Sequence, residues 1–304
     1  MLKLDRKKII IWGHPPHTHT HSYIHHGFYK SLYYLGHDVY WVDDIENNNI
    51  DVNDAIVISE SQAIKHLPMA KSAKYLIHNY KNDFEESGNI NVFNFLVYHK
   101  NYNWGQAEIE KIDDYSWYDK KTKTPVIMWA TDLLPVEIDN IDPVLYYPST
   151  KDVFFVGTVQ GKNLRKFARV CANNGKNFIN LGGYTGLSDD ENNTQFFSNR
   201  KSLDAIRNSY ISFDVREDCH LDNGYIPCRI FKNMSYGKWT GSNSLKLKEF
   251  FDERLTINKN LNILYIDLVE DYKKCTFNLL KDNMNYIRDN HTYLSRLNSI
   301  LSII

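Results

Sequence analysis

Cysteine and proline are scarce in this chain, and long apolar runs are missing. Four cysteines in 304 residues, Cys171, Cys219, Cys228 and Cys275, cannot build a disulfide scaffold. None lies in the C-x-x-C pairing that marks a structural zinc or a dithiol redox centre. No apolar stretch approaches the roughly 20 residues that a membrane span needs. The first one, Ile9 to Trp12, is also too short for a signal-peptide core. The expectation is a cytoplasmic, reduced protein without a transmembrane segment. Charge of neither sign dominates: 36 Lys and Arg against 37 Asp and Glu give a net charge of −1. A nucleic-acid binder that works by neutralising phosphates is usually basic, so no nucleic-acid partner is expected. The chain carries no Walker A loop, no G-x-G-x-x-G fingerprint and no 20–50-residue repeat.

Hydrophobic residues make up 42% and charged residues 24%, ordinary values for a globular chain with a sizeable core. At roughly 100–200 residues per domain, the length predicts two domains, although a single barrel also fits it. Short continuous apolar runs at Lys8–Trp12, Asp38–Val42, Ala55–Ser59, Tyr75–His78, Val92–Tyr98 and Pro125–Ala130 read as strands buried on both faces. Ser22 is placed to N-cap a helix bearing Ile24, Phe28, Leu32 and Leu35 on one face, ending at Gly36. Pro135, Pro143 and Pro148 punctuate a stretch without periodicity, and the domain boundary is placed there, giving domains 1–145 and 146–304. The pattern then restarts. Asp152–Val156, Phe178–Leu181, Tyr210–Val215 and Ile263–Ile266 read as strands, a helix carries Leu164, Phe167, Ala168 and Cys171, and the chain from Asp267 reads as helical. Strands alternating with helices predict an α/β fold with mostly parallel sheets. The terminal helices are expected to have the option of packing back on the first domain.

Three segments are candidates for chemistry. The first is the turn after the first strand, Gly13 to Ser22. It lies at the carboxyl end of a strand, where open parallel sheets bind ligands. Half of the twelve histidines fall between His14 and His26. An imidazole titrating near neutrality suits a general base. The choice among them is open, with His14, nearest the strand, favoured and His17, His19 and His21 in the same loop. The second is Gly157–Arg165, a strand-to-helix turn. Gly157 and Thr158 permit close approach, helix N–H groups attract phosphate, and Lys162 and Arg165 add charge. The third is Asn223–Gly237 followed by Gly241–Ser244. There Pro227 opens a short amphipathic helix whose first turn carries Arg229 and Lys232. Ile230, Phe231 and Met234 are its buried face.

Phe155-Val156-Gly157-Thr158, followed about seventy residues on by Pro227-Cys228-Arg229-Ile230-Phe231-Lys232-Asn233-Met234-Ser235-Tyr236-Gly237, resembles the C-terminal half of GT-B glycosyltransferases. It is most similar to CgeB-like and group-1-like transferases. The specific resemblance covers about residues 152–245. It implies two Rossmann-like domains facing a cleft. It implies a nucleoside-diphosphate sugar, UDP- or GDP-linked, as co-substrate, held by Gly157, Thr158, Arg165, Gly183, Asp214, Tyr225, Arg229, Lys232, Asn243 and Ser244. The partner it implies is a glycan or glycoconjugate acceptor on the N-terminal domain, bound at His17, His19 and His21. No metal and no further cofactor are required. Retaining relatives often carry Glu where this chain has Lys232, so an inverting mechanism is favoured. In that mechanism His14, or Asp132 after the last strand of the first domain, deprotonates the acceptor hydroxyl. Asp214 and Glu217 are further candidates to touch sugar hydroxyls.

Two other readings compete. His17-Thr-His19-Thr-His21 contains an H-x-H pair, as in metal-dependent hydrolases of amidohydrolase type, which also need later ligands (His78, His99 and Asp214 are available) and a closed barrel. A non-catalytic nucleotide- or carbohydrate-binding protein is the third reading, for which 21 Tyr and 6 Trp supply stacking surfaces.

Overall fold

The computed structural model describes residues 6–14, 20–43, 49–80, 91–99, 102, 106–157, 161–181 and 199–301. The chain divides into two compact units. The first comprises residues 1–98, 102–128 and 293–304; the second comprises 99–101 and 129–292.

The first unit begins with β1 (Lys8–Trp12), α1 (Thr20–Tyr34), β2 (Asp38–Val42), β3 (Ile56–Glu60), β4 (Lys74–His78) and β5 (Asn91–Val97). These strands pair in parallel, and β8 (Thr124–Ile127) joins β5 in the same sense. An antiparallel hairpin, β6 (Ile109–Asp113) and β7 (Ser116–Asp119), finishes the sheet beyond β8. The order is β2-β1-β3-β4-β5-β8-β7-β6, an open sheet with two edges. The central strands are continuous apolar runs because both faces are covered: Ile9 to Trp12 and Val57 to Ile58 are fully buried. α1 starts at Thr20, so Ser22 lies inside the helix, buried, rather than at its cap. Its C-terminus does use glycine: Gly36 has φ +86, and His37 N–H donates to Leu32 O at 3.2 Å, the left-handed turn that a Cβ disfavours.

The second unit runs α2 (Pro135–Asp139), β9 (Asp152–Phe155), α3 (Lys162–Asn173), β10 (Asn177–Asn180), α4 (Asn199–Asn208), β11 (Ser212–Asp214), α5 (Asp218–Asp222), α6 (Cys228–Ser235) and β12 (Thr240–Ser242), then α7 (Lys248–Phe251), β13 (Thr256–Ile257), α8 (Leu261–Lys274) and α9 (Phe277–Asn290). Every strand pair is parallel: β10 with β9, and β11-β12-β13. Between β9 and β11 a side chain stands in for ladder bonds. Ser209 Oγ accepts from Phe154 N–H at 2.9 Å and donates to Ile211 O at 2.6 Å. The core packs Val153 and Phe155, Leu164, Phe167 and Cys171, and Phe213 against Leu264 and Leu268. The expected strand Ile263–Ile266 is therefore helix. Leu261, Leu264, Tyr265 and Leu268 are buried at spacings of 3, 1 and 3, whereas Ile263 and Ile266 are exposed, which is helical and not strand periodicity. Asn260 caps this helix, accepting from Asn262 and Ile263 N–H.

After α9 the chain returns to the first unit as α10 (Tyr293–Leu301). There Tyr293 packs edge-on to Phe28 of α1 at 4.9 Å, and the buried Arg296 donates to Met128 O at 3.3 Å. Among the described residues no helix is long and apolar enough to cross a membrane.

Candidate functional site

Sheet topology locates the first site. From β1 the chain passes through α1 to β2 on one side and later returns to β3 on the other. Strand order reverses between β1 and β3, and ligands of open α/β sheets bind at the carboxyl ends of such a pair. His14 follows β1, and Glu60 is the last residue of β3. Glu60 Oε1 lies 2.5 Å from His14 Nε2, and Oε2 lies 3.8 Å from His21 Nδ1. The Glu60 side chain is 1% exposed. Burial pushes its carboxyl up, but the His14 hydrogen bond, the Gln62 N–H and the charges of His21 and His14 outweigh that and hold it below the ordinary carboxylate value. His78, opposite Glu60 in the β3–β4 register, packs edge-on to His21 at 4.8 Å. Burial, with His21 adding to it, pushes His78 down to about 3 despite Glu60.

His17 and His19 lie outside the described residues, as do Thr158 and Gly183. Among the described residues no group of three or more His, Cys, Asp or Glu side chains is placed to hold a metal ion. The sheet of this unit is open, not a closed barrel. The open sheet counts against the closed barrel that the amidohydrolase reading needs. Glu60 was missed from sequence. The strand expected at Ala55–Ser59 lies one residue further on, at Ile56–Glu60, so that the acidic residue ends the strand instead of following it.

In the second unit the carboxyl ends of β9 and β11 hold a cationic cluster. Asp214, with no exposed surface, is gripped side-on by Arg216, with Nε–Oδ2 and Nη2–Oδ1 both at 2.8 Å. Arg229 Nη1 reaches Asp214 Oδ1 at 2.7 Å, and its Nε donates to Val156 O at 3.0 Å. One carboxylate faces two guanidinium groups, leaving one positive charge in excess. Burial pushes Asp214 up, but Arg216 and Arg229 outweigh it and hold it below its ordinary value. Burial and the neighbouring Arg216 lower Arg229, which remains 12% exposed. The guanidinium lies over the Phe155 ring at 4.1 Å. It also rests against Gly157, at φ +150, where a Cβ would fall within the guanidinium itself. Gly157 is thus required by Arg229, a role that turn chemistry alone does not reveal.

The other sequence candidates take these places. Asn243 is buried, and its amide clasps the Arg216 backbone, accepting from N–H and donating to C=O, both at 2.8 Å. Tyr225 accepts from Trp129 Nε1 at 2.9 Å and lies under Arg216. Lys232 Nζ is 3.2 Å from Asp132 Oδ2, and Tyr236 donates to both oxygens of the same buried carboxylate at 2.9 and 3.1 Å. Arg165 is an exposed residue of α3. The N–H groups at the start of α3, expected to meet phosphate, are taken by Glu217. Its carboxylate accepts from Asn163 N–H at 2.9 and 3.1 Å and from Leu164 N–H at 3.3 Å. Beside it opens a cavity of about 600 Å³ lined by Asn163, Gly224, Asn243, Ser244, Lys246 and Lys259 among others, within the size range of small-molecule sites.

Two units, each built on parallel strands with a polar cluster at the strand carboxyl ends, define an α/β protein of GT-B fold. Solved structures bear this out. The chain is similar to a structure described as apo OtsA, with a TM-score of 0.54 and 9% identity over 98% of this chain and 99% of that one. It is also similar to one described as trehalose-6-phosphate from E. coli bound with UDP-2-fluoro glucose, with a TM-score of 0.53 and 8% identity over the same shares. At such identities the likeness is one of fold. No protein-family model and no curated protein matches the chain.

Proposed function

We propose that the chain is a glycosyltransferase that moves a sugar from a nucleoside-diphosphate sugar to a hydroxyl of a glycan or glycoconjugate, with inversion at the anomeric carbon. The observation that carries the reading is the Arg216–Asp214–Arg229 cluster at the carboxyl ends of β9 and β11, with its one uncompensated positive charge. A diphosphate is the complementary group. Guanidinium forks suit its oxygens, and a fixed charge in a dry site stabilises a leaving anion without reorganising. The neighbouring cavity along Asn163 and Ser244 has room for the nucleoside. One structure of the same fold is bound with UDP-2-fluoro glucose, a nucleotide-sugar derivative, which supports this class of donor.

In this reading the second unit, near the 146–304 domain expected from sequence, binds the donor and the first binds the acceptor. His14 takes the proton of the acceptor hydroxyl. The oxygen attacks the anomeric carbon, the bond from that carbon to the diphosphate oxygen breaks, and the diphosphate leaves with the electron pair, neutralised by Arg229 and Lys232. Asp214 works through the two arginines it holds. Since guanidinium groups supply the charge, the reading assigns no metal a role.

Calorimetric titration with UDP and GDP tests the proposal. One of them is expected to bind. If these and the other nucleoside diphosphates all fail at millimolar concentration, the donor site does not exist. Arg229→Gln is expected to weaken the binding by about 1.5–3 kcal/mol, the worth of a hydrogen bond to a charged group.

A further inference from the structure

We infer that Glu60 is a positioning residue, whose carboxylate fixes the proton of His14 on Nε2 and leaves the basic lone pair on Nδ1. The functional meaning of this rests on the proposed role of His14 as base; the geometry does not. Glu60 is almost fully buried at the end of β3, beside the reversal of strand order next to β1. A carboxylate removed from water needs partners, and two of those given to it here are imidazoles, His14 at 2.5 Å and His21 at 3.8 Å. An ionised carboxylate only accepts hydrogen bonds, so at this distance Nε2 of His14 is the donor. In a neutral imidazole the other nitrogen then carries the lone pair. The groups around the pair fit this assignment. His78 stands opposite Glu60 in register and packs on His21, which also neighbours His25 at 6.1 Å. His25 Nδ1 in turn limits the space at Gly13, where a Cβ would sit 3.0 Å from it, so the turn that carries His14 is seated against α1.

The test is a long-range proton–nitrogen correlation spectrum of the full chain under conditions where His14 is neutral, with His14→Gln used to assign its signals. In the wild type, Nε2 is expected to be pyrrole-like and Nδ1 pyridine-like. In Glu60→Leu that split is expected to be lost, both nitrogens moving towards the average of the two tautomers. In Glu60→Asp it is expected to be restored in part. A wild-type His14 protonated on Nδ1 overturns the inference without any variant, even if Glu60→Leu fails to fold. So does a split that survives in folded Glu60→Leu. If the spectra behave as expected but His14→Gln transfers sugar as fast as the wild type, the positioning stands and the base role of His14 falls.

Discussion

Glu60 and Asp214 are the same device built with different partners. Each is a buried carboxylate at the last residue of a parallel strand, β3 in one unit and β11 in the other. Each is held below its ordinary pKa against the pull of burial. Glu60 faces imidazoles, which can give up their charge; Asp214 faces guanidinium groups, which in a protein cannot. A carboxylate against histidines makes a site whose protons can move. A carboxylate against arginines makes a permanent electrostatic fixture, suited to holding an anion and not to moving protons.

That contrast predicts unequal costs when the carboxylates are neutralised. Asp214→Asn strands two buried guanidinium groups that have no neutral form to retreat to. It is expected to cost about 3–5 kcal/mol of unfolding free energy in denaturant titration, the range for breaking a buried ion pair. Glu60→Gln leaves imidazoles that can discharge by losing a proton. The expected cost is about 1.5–3 kcal/mol, that of losing hydrogen bonding to a charged group. If the two substitutions cost the same, the distinction between discharging and permanent partners fails.

Acid tests the histidines of the first unit as well. His78 is pushed down to about 3 by burial. Between an unfolded value near 6.5 and that figure, the unfolded chain binds the extra proton, so stability is lost as pH falls through this window. At about 1.4 kcal/mol per pH unit, going from pH 6.5 to pH 5 is expected to cost about 2 kcal/mol, read as lower protection factors of β4 amides once the slower intrinsic exchange in acid is divided out. His78→Phe should flatten that dependence. The lowered carboxyls of Glu60 and Asp214 carry the same sign, but their contribution is lost only as pH falls below roughly 4. The buried Lys238 amine of the second unit, brought down to about 7 by burial and Arg207, changes charge above this acid window.

The two carboxylates differ too in how far the sequence exposes them. β1 and β2 are legible to the residue, because unbroken apolar runs bounded by Gly13 and Gly36 leave little choice. The helix after Pro227 is legible for the same kind of reason: Ile230, Phe231 and Met234 can only be its buried face. The Ile263–Ile266 run misleads because four apolar residues show no period, and only Leu261 and Leu268 outside it reveal the helix. The β6–β7 hairpin is hidden by its partly exposed edge position, where Glu110 and Lys111 break the apolar signal. Asp214 could be picked out since it ends a strand in a recognisable half of the chain. Arg216 lies only two residues on, but the pairing of Asp214 with Arg229 across 15 residues, like that of Glu60 with His14 across 46, is tertiary and leaves no local trace. Gly157 looks like a turn residue until Arg229 is seen lying against it.

The smallest expected effect sharpens what permanence means in the second unit. Arg229→Lys keeps the charge but gives up the planar fork that reaches Asp214 Oδ1 and Val156 O together. If charge alone serves the diphosphate, UDP or GDP affinity should be unchanged. If the fork matters, one hydrogen bond is lost and affinity should fall by about 1 kcal/mol, roughly fivefold, less than for Arg229→Gln. Gly157 gives the control. With the shorter, unforked lysine at position 229, the guanidinium no longer fills the space over Gly157, so Gly157→Ala should be less damaging in the Lys background than in the wild type. Equal damage in both would mean that Gly157 is kept for its φ of +150 and not for the arginine above it.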